Sequence, residues 1–297
     1  MNRVLKILAI VGASLLIIGC VIFVVAMSVN GWDFSEFTRQ YETKTLVATE
    51  QKSNIVLDLQ NSDVQIVYDA SAQYVTIEYH VAKTTGGKEL SKFVVVNNNG
   101  ELRLCEEPNL QFWFFGVGIK PTATITLPNH QCSLSVDTDN GKIVIDSTVT
   151  NGNFVNLDLE ADNGAITIDG NVTCTNLDVA TNNGKVVFNG NVTVTNELKA
   201  ESDNGAIVVD GRLTANSANL ETDNGTITAK GTIDAQKLHL ETKNGKITAK
   251  LEGKNADYGI SAKTGNGSCN VNDSEGGARK LYAKTSNGSI EITFTQQ

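Results

Sequence analysis

The sequence predicts an all-β protein, a parallel β-solenoid of about 20 to 23 residues per coil, preceded by one N-terminal transmembrane helix. Three observations predict it: a phrase repeated in phase, an inward-facing parity repeated with it, and a long uncharged run near the N-terminus. The phrase is Thr-x-Asn-Gly-x-Ile-x-Ile, first complete from Thr138 to Ile145. Its Asn-Gly recurs at Gly141, Gly164, Gly184, Gly205, Gly225, Gly245, Gly267 and Gly288, at intervals of 23, 20, 21, 20, 20, 22 and 21 residues.

Counting from each in-phase glycine, apolar residues stand seven and five positions before it and two and four positions after it. In the Gly184 repeat these are Leu177, Val179, Val186 and Phe188. Alternate side chains of a strand point to opposite faces, so each repeat supplies two short strands with one buried side. A second glycine, as at Gly170, Gly190, Gly211 and Gly231, is followed two residues later by Val172, Val192, Leu213 and Ile233, which marks a third strand. Asn-Gly between alternating apolar runs is also a hairpin signal, so tandem antiparallel hairpins compete with the solenoid. The residue before the glycine is Asn in all eight repeats, Asn140, Asn163, Asn183, Asn204, Asn224, Asn244, Asn266 and Asn287. A hairpin turn would accept Asp or Gly there, whereas stacked turns gain from a ladder of side-chain amides, which favours the solenoid. The glycine of each turn is expected to supply a positive φ.

The composition agrees: 26 Gly, 3 Pro and 6% aromatics in 297 residues. Residues 1–6 read as a cytoplasmic N-terminus and residues 7–27 as a membrane span. Ile7 to Met27 is 21 residues without charge, roughly 30 Å as a helix. Arg3 and Lys6 precede it and Asp33 and Glu36 follow it, which puts the β domain outside the cell on the cell membrane. Ile17-Ile18-Gly19-Cys20 also has the form of a bacterial lipobox, but Val21 to Met27 stays apolar where a lipoprotein turns polar. Residues 28–46, with Trp32, Phe34, Phe37 and Tyr41, read as a juxtamembrane stalk without assigned structure. Residues 47–130 carry irregular strand patterns that cap the stack, and residues 131–297 are the regular repeats.

Net charge is −9, and −11 once Arg3 and Lys6 are set aside, which argues against nucleic acid and anionic lipid surfaces as partners. Cys20, Cys105, Cys132, Cys174 and Cys269 are scattered singly and form no metal spacing. Cys269 falls at an inward position. The pairing left open is Cys132 with Cys174.

Candidate functional residues lie where the chain departs from the repeat or faces outward. Phe112, Trp113, Phe114 and Phe115 cannot all enter one core from a strand, so they form either an end cap or a binding tip. Asp137, Glu160, Glu201, Glu221 and Glu241 stand four before the glycine, and Asp139, Asp162, Asp203 and Asp223 two before it. They form outward acidic rows. The rows keep the stack soluble, and Asp139, Asp162, Asp203, Asp223, Glu201 and Glu221 are the weak divalent-cation candidates. No catalytic residues are expected: His80, His130 and His239 lie in no known signature, and the uniform coils wall no cleft.

The anchor, the Gly31-Trp32-Asp33 juncture, the Ile55 to Ile66 unit, the Ile125-Thr126-Leu127-Pro128 strand and the Thr-x-Asn-Gly-x-Ile repeats together resemble the bacterial putative-adhesin, toastrack-type family of β-strand-repeat proteins. The resemblance implies a non-enzymatic cell-envelope protein, commonly anchored by one pass, acting as an adhesin or scaffold. It implies no catalytic residues and no cofactor. Two further readings stay open: a regulatory ectodomain of an envelope-stress response that binds a membrane protein, and a cation-dependent enzyme acting on polysaccharide. The glycan or protein partner is not legible in the sequence.

Overall fold

The computed structural model describes residues 3–29, 39–84, 86–98, 100–107 and 120–296. They fall into two compact units, one of residues 1–42, 82–90 and 110–119, the other of residues 43–81, 91–109 and 120–297. In the smaller unit the helix Arg3–Val29 is followed later by a short antiparallel bridge between Lys83 and Glu89. The stretch expected to lack structure, 28–46, ends in the strand Arg39–Val47.

The larger unit is a stack of short parallel strands whose parity follows from the repeat. Each coil of the regular array has three strand segments, and equivalent segments lie side by side. Val172, Val192, Leu213 and Ile233 are consecutive partners on one side. Leu177, Leu198, Ala218 and Leu238 are partners on the second, and Val186, Ile207, Ile227 and Ile247 on the third. Parallel pairing holds across every Asn-Gly turn, so the hairpin alternative is excluded.

Spatial order departs from sequence order at both ends of this unit. The coil of Glu101–Glu107 and Thr122–Leu127 is first, and the earlier coil of Asn54–Leu59 and Asp63–Tyr68 lies between it and the Gly141 coil. The Gly164, Gly184, Gly205, Gly225 and Gly245 coils follow in turn. The Gly288 coil then inserts ahead of the Gly267 coil: Leu238 pairs with Leu281, and Leu281 with Ile260. Ten coils at about 4.8 Å make a stack on the order of 43 Å long.

Burial explains the inversion at the C-terminal end. The inward residues of the Gly288 coil, Leu281, Ala283, Ile290 and Ile292, are at most 2% exposed. At the four inward positions counted from the repeat glycine, the half-buried residues are Ala262, Cys269 and Val271, and all three belong to the Gly267 coil. The smaller side chains therefore face the open end, and three large aliphatic ones are buried at roughly 1.5 to 3 kcal/mol each. Cys269 thus departs from its expected burial because no coil lies beyond it.

Antiparallel pairing covers the edges of the first coil, which would otherwise template another sheet. Lys92–Asn98 pairs with Glu101–Glu107, and Thr76 to Tyr79 with Ala123 to Thr126. At the far end Ile260 and Ser274 form an antiparallel bridge.

Two expectations are corrected. The positive-φ glycines are Gly87, Gly100, Gly253 and Gly277, none of them a repeat glycine. The repeat glycines are needed for close approach instead: a Cβ on Gly164 would overlap the carbonyl oxygen of Gly141, and one on Gly205 that of Gly184. The Cys132–Cys174 bridge does not form. Phe154 is the ladder partner of both, so they are two coils, about 10 Å, apart, beyond the roughly 7 Å that a disulfide spans. Burial pushes both thiols up to about 12, which leaves them inert.

Candidate functional site

The turn phrase is occupied with building the stack. Asn140 Nδ2 donates to Asn61 Oδ1, and Asn163, Asn183, Asn204, Asn224, Asn244, Asn287 and Asn266 continue the chain, each amide bonded to the one before at 2.8–2.9 Å. The ladder follows the spatial order, with Asn287 ahead of Asn266. Beneath it, the buried Thr of the phrase acts twice. Thr222 Oγ1 donates to the Gly205 carbonyl oxygen at 2.8 Å and accepts from the Gly225 N–H at 3.1 Å. Ala161 holds this place in the Gly164 coil and has no hydroxyl to do either.

The outward acids form columns, but the chain neutralises much of them itself. Asp223 accepts from Lys243 at 2.6 Å, Glu201 pairs with Lys199 at 2.8 Å, and Asp162 accepts from Asn182 at 2.8 Å. Glu221 accepts from Asn219 at 2.8 Å. Among the described residues no group of three His, Cys, Asp or Glu side chains is placed to hold a metal ion. The column Asp58, Asp137, Glu160 places three carboxylates on successive coils. Burial first, then Glu160, Asp58, Asp139 and Asp162, push the Asp137 carboxyl up to about 6. Asp139 is raised by burial and by Asp162 and Asp58. The aromatic run Phe112 to Phe115 lies outside the described residues.

The feature that breaks the uniform surface is a groove of about 780 Å³ across the outer face of the last four coils. It crosses strands at Asn219, His239, Tyr282 and Ser261, which are successive partners in the ladder. The His239 and Tyr282 rings stack with centroids 4.5 Å apart and planes 16° apart. His239 Nε2 lies 3.2 Å from Glu241 and 3.5 Å from Glu221. Glu241 also accepts from Lys284 at 2.6 Å, and the Lys284 and His239 contacts hold its carboxyl below the ordinary range.

Two further observations define the groove. Asn219 donates its amide hydrogen to Glu221, while its Oδ1 is buried with no donor. The far wall is the 273–275 segment, fixed by Ile260 N to Ser274 O at 2.8 Å, Ser274 N to Ile260 O at 2.9 Å and Ala262 N to Asp273 Oδ1 at 2.8 Å. Between Tyr282 and that wall the floor carries Ser261 and Gly259, with the Lys280 side chain lying across Gly259. Sequence reasoning missed this site because Lys237 and His239 are brought beside Lys280 and Tyr282 only by the inverted coil order.

A parallel strand stack with antiparallel pairing on its first coil and an open groove on one face is a repeat scaffold with a surface groove. The chain belongs to the Toastrack DUF4097 family, whose model matches residues 52–297. No curated protein matches it. Two solved structures at a TM-score of 0.50 share the fold, and a third at 0.48 is similar over most of its length. A putative adhesin from Parabacteroides merdae is 13% identical with a TM-score of 0.50, over 87% of this chain and 95% of that one. A putative lipid binding protein from Parabacteroides distasonis is 15% identical with a TM-score of 0.50, over 86% and 96%. A putative adhesin from Bacteroides fragilis is 17% identical with a TM-score of 0.48, over 85% and 97%.

Proposed function

We propose that this protein is a non-enzymatic, membrane-anchored extracytoplasmic adhesin or scaffold of the bacterial cell envelope. The observation that carries the reading is the open groove: a preformed, polar and aromatic surface site on a scaffold whose remaining face is regular. An open groove lined by strand backbone does not exclude water, and acid/base chemistry depends on that exclusion. The structures named adhesins share only the fold, so they support the scaffold and leave the ligand to this chain's own residues.

Anchoring is supported by the helix Arg3–Val29. Its described apolar side chains from Val11 to Val25 are exposed on all sides, with Leu15, Leu16, Ile17 and Ile18 each more than half exposed, and Met27 is buried. A helix apolar all round needs an apolar surrounding. Among the described residues no helix is long and apolar enough to cross a membrane; the described side chains begin at Val11, and the uncharged run begins at Ile7.

The test is made in intact cells of the native host. Carbonate extraction should leave the full chain in the membrane pellet, and externally added protease should digest its β domain. Surface crosslinking should capture envelope or host-surface glycan. Release by carbonate would refute the anchor. Capture of a single membrane protein without glycan would replace the adhesin reading with the regulatory-ectodomain one.

A further inference from the structure

Lys237 and Lys280 lie side by side on adjacent coils at the rim of the groove, their backbones about 4.8 Å apart. Both are exposed, and among the described residues neither has a carboxylate partner. Several other lysines of the stack are paired, Lys199 with Glu201, Lys243 with Asp223, Lys246 with Glu291 and Lys284 with Glu241, while Lys185, Lys250 and Lys263 stand singly without a carboxylate partner among the described residues. In a chain of net charge −9, two lysines on adjacent coils with no carboxylate partner make a local site for an anion, the Lys280 ammonium lying over Gly259.

The next row supplies a different chemistry. One face of the Tyr282 ring is covered by His239, and the other looks over Ser261, the small residue next in the ladder. The C–H groups of a pyranose ring carry partial positive charge and stack on the negative face of an aromatic ring. Asp273 and Glu275 on the far wall add acceptors for hydroxyl groups and repel a dense polyanion.

We infer that the groove binds an acidic glycan: a pyranose ring stacks on Tyr282, its carboxylate sits between Lys237 and Lys280, and its hydroxyls donate to Asp273 and Glu275 of the far wall. This rests on the adhesin reading and names its ligand class. Uronic acid polymers of bacterial envelopes and glycosaminoglycans of host surfaces share this chemistry.

The test is calorimetry on the full chain in detergent micelles with four probes: tetragalacturonate, a hyaluronan tetrasaccharide, neutral maltotetraose and tetraglutamate. At least one acidic sugar should bind, and the tighter of the two identifies the source. Tyr282→Ala should weaken it about tenfold, the equivalent of one aromatic stack, while Tyr282→Phe retains it. Lys237→Ala with Lys280→Ala should reduce the acidic sugar to the level of maltotetraose. Circular dichroism of each variant should match that of the parent, and a mismatch moves the test to Ser261→Trp, which fills the slot from the adjacent coil and should abolish binding. Absence of binding by both acidic sugars, tetraglutamate binding as tightly as they do, or indifference to Tyr282→Ala would overturn the inference. Cell attachment that persists without glycan affinity would overturn it and leave the adhesin reading standing. Glycan affinity without attachment would do the reverse.

Discussion

Replacing Asp137 by Asn removes the central charge from the Asp58–Asp137–Glu160 column while keeping the shape of the side chain. In the folded chain burial and the neighbouring carboxylates raise this carboxyl from 3.8 to about 6. The folded state therefore holds its proton more tightly than the unfolded state, and stability falls as pH rises from about 4 through about 6. At about 1.4 kcal/mol per unit the full penalty above that window is about 3 kcal/mol. Because the carboxylate is open to solvent on its outer side, screening reduces this to about 1 kcal/mol. Asp137→Asn should thus gain about 1 kcal/mol in urea unfolding at pH 7.5 and nothing at pH 3.5, where the aspartate is protonated and equally uncharged. High salt should shrink the gain without abolishing it, since salt screens the repulsion between carboxylates but not the cost of burial. An equal gain at both pH values, or a loss at pH 7.5, would refute the assignment of Asp137 as a partly desolvated, repelled charge.

Three other outcomes follow from the stack. Gly205→Ala forces a methyl onto the Gly184 carbonyl and should cost about 3 kcal/mol in urea melts, whereas Gly276→Ala, with open space around it, should melt like the parent. Equal melts would show that close approach of the coils is not what requires the glycine. Thr222→Val keeps the shape and strands the Gly205 carbonyl and the Gly225 N–H, at about 2 kcal/mol, while Ala161→Thr should add about 1 kcal/mol by supplying both missing bonds. In alkaline incubation, attack of the Gly164 nitrogen on the Asn163 carboxamide, with loss of ammonia to a succinimide, should outpace the same reaction at Asn224. The Gly225 N–H is tied to Thr222, and Ala161 cannot tie that of Gly164. Peptide mapping for isoaspartate checks the order, and uniform rates along the array would contradict it.

Much of the fold was legible because a repeat states its own phase. Leu177, Val179, Val186 and Phe188 could be assigned to the core by counting from Gly184, and each is at most 1% exposed. The role of the glycine was misjudged, because a positive φ and a close neighbouring backbone both select glycine and leave the same mark in one chain. Cys132 and Cys174 looked pairable only until Phe154 was seen to lie between them. The groove was illegible for a different reason. Lys237 and Lys280, or His239 and Tyr282, are more than 40 residues apart and hold equivalent positions in repeats that the sequence does not order in space.

By itself the sequence determined the repeat length, the three strand segments of each coil and which side chains face inward, because the period of two and the period of about 20 are local properties of the chain. The order of the coils was decided only by the tertiary structure. Any two coils with compatible apolar faces can stack, and the arrangement that leaves Ala262, Cys269 and Val271 at the open end buries Leu281, Ile290 and Ile292 beneath them. That choice places Lys280 beside Lys237 and Tyr282 beside His239, and so builds the groove.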